Sequence, residues 1–86
     1  MKQMILEATM LTDMEAVHDI FARTLSLPET YGRNLDALYD CLTEISGKVR
    51  LLDWETAEVQ LGDYGKKAKK VIAAAALRNT DLDLYI

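Results

Sequence analysis

The 86-residue chain holds one cysteine, one proline and one histidine, and each scarcity closes off a class of function. Cys41 has no partner for an internal disulfide, and no His or Cys neighbours at ligand spacing for a zinc site. With Pro28 alone and half of the residues hydrophobic, the composition is that of an ordered globular protein rather than a disordered one. No apolar run approaches the roughly 20 residues that cross a bilayer as a helix. The amino terminus lacks the basic segment and apolar stretch of a secretory signal, so the expected location is the cytoplasm. A glycine-rich phosphate loop and a nucleophile elbow are both missing, which removes two common routes to catalysis. His18 follows Val17 in a predicted helix and is expected at its surface or boundary rather than as a catalytic base. Neither a cofactor nor a metal is expected.

What the chain has in quantity is acid, unevenly placed. Residues 1–47 carry three basic and eight acidic side chains, a balance of −5; residues 48–86 carry seven and six, a balance of +1. An acidic half repels phosphate backbones and attracts cationic surfaces, which argues for a basic protein partner over nucleic acid. The lysines of KKAKK, Lys66 to Lys70, read as a solvated helix face. The length supports one domain, residues 1–86, hiding about 60% of the surface its unfolded chain exposes, with a monomer as the default.

Met4, Ile5 and Leu6 suit a short buried strand. In TDME, Thr12 and Glu15 have the spacing of a capping box opening the first helix, whose apolar positions are Met14, Val17, Ile20, Phe21 and Leu25. Pro28 and Gly32 close that segment, Gly32 by tolerating backbone angles that other residues avoid. Asn34 is an N-cap for a second helix with a Leu35, Leu38, Leu42, Ile45 stripe, ended by Gly47. Val49, Leu51, Leu52 and Trp54 read as a second strand. Glu55 to Gly65 has no clean period and leaves room for one short helix. Tyr64 to Arg78 is a helix with Ala68, Val71, Ile72 and Ala75 inward, and Leu82, Leu84 and Ile86 alternate as a last strand. The fold class is therefore α/β, a small three-stranded and mainly parallel sheet packed with three to four helices.

Asp36, Asp40 and Glu44 recur at i, i+4 steps, an acidic stripe about 80° wide. Each like-charge pair at that spacing destabilises a helix by about 0.2–0.5 kcal/mol, a cost small enough for a merely solvated face, partly neutralised by Arg33. Carboxylate pairs serve acid–base or metal chemistry only where a cleft perturbs them or adds ligands, and the sequence supplies neither. Tyr31 and Tyr39 flank the acids and can cap the core with their hydroxyls in water.

The stretch LPETYGRNLDALYDCL, Leu27 to Leu42, resembles the signature of the barstar family, intracellular inhibitors of secreted bacterial ribonucleases, in its L-P-E, Y-G, N-L-D-A-L and D-C-L elements. The order of helices and strands follows that family over nearly the whole chain, with a few residues deleted between Trp54 and Val71. The resemblance implies a three-stranded parallel sheet and a function as a ribonuclease inhibitor, not an enzyme. It also implies that Asp40 enters the cationic active site as the central anion, Asp36 pairs with an arginine at its rim and Tyr39 packs beside them. Gly32, Asn34 and Leu35 then shape the contacting loop and helix start, Thr30 stands on the loop, and Glu44 completes the acidic surface. The implied partner is a basic secreted ribonuclease of the barnase type or a related basic toxin; the other reading is an acidic module that binds a basic protein without inhibiting a nuclease. Three positions depart from the family pattern: Thr30 replaces a stacking tyrosine, Tyr39 a tryptophan, and Ala74 falls near a contributing glutamate of the last helix.

Overall fold

The computed structural model describes residues 3–85. Strand β1 (Gln3–Glu7) leads through a tight helical turn at Ala8–Met10 into helix α1 (Met14–Leu25) and helix α2 (Leu35–Leu42). Strand β2 (Gly47–Leu52), helices α3 (Trp54–Leu61) and α4 (Asp63–Arg78) and strand β3 (Leu82–Tyr85) complete it. The sheet order is β1-β2-β3 and both pairings are parallel, as the helix-linked strands predict.

Register sets the core. Met4 lies opposite Val49, Leu6 opposite Leu51, and Val49 opposite Leu84, so one face of the sheet meets the helices. Val17, Phe21 and Leu25 of α1, Leu38 and Leu42 of α2, and Ala68, Ile72 and Ala75 of α4 close over that face. The opposite face carries Gln3, Ile5, Glu7, Arg50, Leu52 and Tyr85 in solvent. Ile5 is 53% exposed, so the run Met4–Leu6 is a half-buried strand rather than a wholly buried one.

Three local expectations need correction. The cap of α1 is Asp13, whose carboxylate accepts from the Ala16 N–H at 2.8 Å; Thr12 and Glu15 form no capping box because Thr12 lies one residue before the cap and its own N–H donates to the Met10 carbonyl at 3.1 Å. α2 stops at Leu42, and Gly47 begins β2 instead of ending the helix. Trp54 is not in β2: Asp53 turns the chain with φ of 58°, and Trp54 starts α3, the short helix for which the sequence left room. Gly62, at φ 61° and ψ −131°, makes the α3–α4 turn in a conformation that essentially only glycine adopts. Ile86 lies outside the described residues. Among the described residues no helix is long and apolar enough to cross a membrane.

Candidate partner-binding surface

Residues 26–34 bring the chain back from the end of α1 to its first turns. Ser26 ends the helix in the left-handed region, with φ of 54°, and the Leu27 N–H donates to the Ala22 carbonyl at 2.9 Å. A turn follows in which the Tyr31 N–H donates to the Pro28 carbonyl, leaving Thr30 exposed at its tip. Gly32 serves a close approach and not an unusual backbone angle. A Cβ there would lie 3.2 Å from the Ala37 Cβ, and the positive φ next to it belongs to Arg33, at 55°. Arg33 reaches across to α1, pairing with the Asp19 carboxylate at 2.6 Å and donating to the Glu15 carbonyl at 3.5 Å. Its expected partner, the acidic face of α2, is therefore left without it.

At eight residues α2 spans about 12 Å, shorter than any helix that holds itself in water. Its ends are fixed from outside. Asn34 caps the start, accepting from the Ala37 N–H at 2.7 Å while its amide leans on the Gly32 carbonyl at 3.4 Å. The far end is held by Asn79, a buried side chain just past α4, which donates to the carbonyls of Leu42 and Ile45 at 2.9 and 2.6 Å. Leu38 and Leu42 sink into the core, and Leu35 and Tyr39 are half-buried against it.

Asp36 and Asp40 project from the opposite face, exposed; among the described residues the one ion pair is Arg33–Asp19, so neither aspartate has an internal cation. Asp36 lies in the first turn, where the helix dipole favours it. Glu44 is exposed but off the helical stripe, because the Thr43 hydroxyl donates to the Asp40 carbonyl at 2.7 Å and the Glu44 N–H turns in to Cys41. The stripe is two aspartates with a third acid on the following turn. Burial, then the charges of Glu44 and Asp40, push the Cys41 thiol up from its ordinary value, away from thiolate reactivity. The described residues include no group of three or more His, Cys, Asp or Glu side chains placed to hold a metal.

His18 overturns its expected surface position: it is 3% exposed. Its two ring nitrogens meet the hydroxyls of Tyr31 and Tyr64, each at 2.6 Å. Burial, then the nearby Arg33 guanidinium, pull its pKa below the ordinary value despite Asp19, so the neutral ring is favoured. The signal was present, since 14, 17, 18, 21 and 25 share one helical face. Tyr31 is buried, and desolvation drives its hydroxyl far above its usual pKa; it is no water-facing cap.

Residues 1–85 match the family model described as Barstar (barnase inhibitor). A relative in Bacillus subtilis (strain 168), named "Putative ribonuclease inhibitor YrdF", is 35% identical over 78 residues, covering 87% of this chain and 86% of the relative. With a match over almost its full length and the parallel three-stranded sheet described above, the chain belongs to the barstar family.

Proposed function

We propose that the chain, acting as a single monomeric domain in the cytoplasm, inhibits a secreted bacterial ribonuclease of the guanyl type by reversibly plugging its active site with carboxylates of α2. Family membership supports the ribonuclease-inhibitor role. The observation that carries the mechanism is that Asp36 and Asp40 stand exposed and, among the described residues, without an internal cation on a helix held at both ends.

A ribonuclease must gather cationic groups around the scissile phosphate. Carboxylates held at those positions accept the same charge-assisted hydrogen bonds and exclude RNA. Asp40 takes the central place and Asp36 an arginine at the rim. Tyr39 supplies an aromatic flank, and Thr30, Gly32, Asn34 and Leu35 form the contacting loop and helix start. Glu44 adds to the attracting field from the turn. Thr30 offers no ring to stack on the enzyme, so the cognate target presents a matching surface there with no need of an aromatic contact. An interface of this kind buries about 800 Å² on each partner.

Titration of the chain against a panel of secreted bacterial ribonucleases, read by RNA cleavage, tests the proposal. One-to-one loss of cleavage with one member of the panel, relieved by Asp40→Ala, is the expected result. Binding that leaves cleavage intact, or inhibition indifferent to Asp40→Ala, overturns it.

A further inference from the structure

Among the described residues, two side chains, those of Arg33 and Tyr31, tie the loop that presents Thr30, Gly32 and Asn34 to α1. The Arg33–Asp19 pair is weak, because its side chains are 44% and 57% exposed and such pairs lose most of their attraction to water and salt. The Pro28–Tyr31 turn is internal to the loop and ties it to nothing. The second tie is the Tyr31 hydroxyl, buried against His18 Nδ1 at 2.6 Å. On the other side of the same ring, the Tyr64 hydroxyl of α4 meets Nε2 at 2.6 Å. The two tyrosines approach the imidazole tilted, with interplanar angles of 52° and 76°, so the ring is gripped at both nitrogens rather than stacked.

We propose that His18 is a positioning residue for inhibition: oriented by Tyr64, it ties Tyr31 to α1 and fixes residues 28–34 in their binding shape before a partner arrives. The proposal rests on the reading of that loop and α2 as the inhibitory surface. A neutral imidazole has one N–H and one bare nitrogen, so one tyrosine donates to the ring and the other accepts from it. The two bonds are therefore coupled through the ring: the role Tyr64 takes at Nε2 decides whether Tyr31 donates to Nδ1 or accepts from it, although Tyr64 lies in α4, remote in sequence from the loop. A loop already in its bound shape does not lose freedom on association, and an unfixed one reduces apparent affinity by the fraction of time it is competent.

The charged and titratable groups around the ring are Glu15 and Asp19 on α1, Arg33 from the loop, the two tyrosines, and Cys41 of α2 beside Tyr31. None bonds a ring nitrogen among the described residues except the tyrosine hydroxyls. The tether is thus a three-residue relay, and removing either hydroxyl breaks it while leaving both aromatic rings in place.

Tyr64→Phe tests it, since that substitution changes no residue assigned to the inhibitory surface. In the free chain, well below its unfolding temperature, the Tyr31 amide is expected to exchange with solvent about fivefold faster, the equivalent of one net hydrogen bond. The ¹⁵N shifts of the His18 ring nitrogens, which report where the ring proton sits, are expected to change with loss of the Tyr64 hydroxyl. Association with the ribonuclease is expected to slow about fivefold. Tyr31→Phe is expected to do the same, and the double variant to do no more. An unchanged Tyr31 amide in Tyr64→Phe, or losses that add in the double variant, overturns the tether, even where Asp40→Ala abolishes inhibition. A loosened loop with inhibition indifferent to Asp40→Ala supports the tether and overturns the inhibitory surface instead.

Discussion

Replacing Asp40 by asparagine is expected to move stability and inhibition in opposite directions. Asp40 lies one turn from Asp36, and their mutual repulsion costs about 0.2–0.5 kcal/mol. It also lies in the last turn of α2, where a negative charge opposes the helix dipole by about 0.3–1 kcal/mol. Both penalties vanish in the isosteric amide, so the free chain gains about 0.5–1.5 kcal/mol, with the lower end favoured by the exposure of the site. For a domain of this size that raises the thermal midpoint by several degrees, at about 4–8 °C per kcal/mol. Inhibition is expected to suffer far more. An anion withdrawn from a desolvated cationic cleft leaves the enzyme's charges unpaired, at about 3–5 kcal/mol, or roughly 150- to 5,000-fold in affinity, mostly in dissociation. Thermal unfolding followed by circular dichroism and a ribonuclease titration measure the two quantities on the same preparation. Inhibition retained within twofold, or stability and inhibition falling together, would refute the reasoning, because then Asp40 is either idle or structural.

Asn79→Ala is expected to lower stability by about 1–3 kcal/mol, since the buried carbonyls of Leu42 and Ile45 lose their donor; a denaturant melt that shifts by less than half a kcal/mol contradicts this. Because His18 is the single histidine and its pKa is lowered on folding by burial and Arg33, the unfolded chain takes up a proton first as pH falls below about 6.5. Stability should be level above that pH and decline below it, by at most about 1.4 kcal/mol per pH unit, until the folded ring also protonates. Denaturation curves between pH 7.5 and 5.5 check the sign, and a flat or rising trend rejects it. Asp36→Ala is expected to weaken inhibition less than loss of Asp40, and chiefly by slowing association; stopped-flow rates at two ionic strengths should show a shallower salt dependence than the wild type.

The elements that periodicity made legible are those whose partners are local. Val17, Phe21 and Leu25, then Leu38 and Leu42, announce α1 and α2 because a 3.6-residue period needs no knowledge of what covers it. The misplaced boundaries have equally local causes. Ile45 keeps the spacing of the Leu38–Leu42 stripe and so extends the apparent helix, while the Thr43 hydroxyl that helps end it leaves no mark in apolar patterning. Trp54 could have been separated from β2 by parity: Val49 and Leu51 are buried, so a strand continued to 54 would turn its indole outward, yet it is buried. Asn79 and the His18 relay were beyond reach, because their partners are 34 and 37 positions away for Asn79 and 13 and 46 for His18. Spacing alone gave Asp36 and Asp40 only a charged face; the resemblance assigned their roles, and their exposure without an internal cation among the described residues is compatible with those roles.

Why the fold keeps two like charges together follows from where its stabilising contacts lie. An eight-residue helix carrying a repelling pair and an acid near its carboxyl end would not persist alone. Asn34 offsets about 1 kcal/mol at one end, and the two Asn79 bonds a comparable amount each at the other, against at most about 1.5 kcal/mol of electrostatic penalty. These contacts come from the loop and from beyond α4, and both side chains are uncharged, so they stiffen the helix without neutralising the charge it presents. Had the same stability come from a lysine beside Asp40, the helix would hold but its charge would be shielded from a cationic visitor. Neutral amide caps supply rigidity with no counter-charge, which is the combination a carboxylate needs if it is to occupy a site shaped for phosphate.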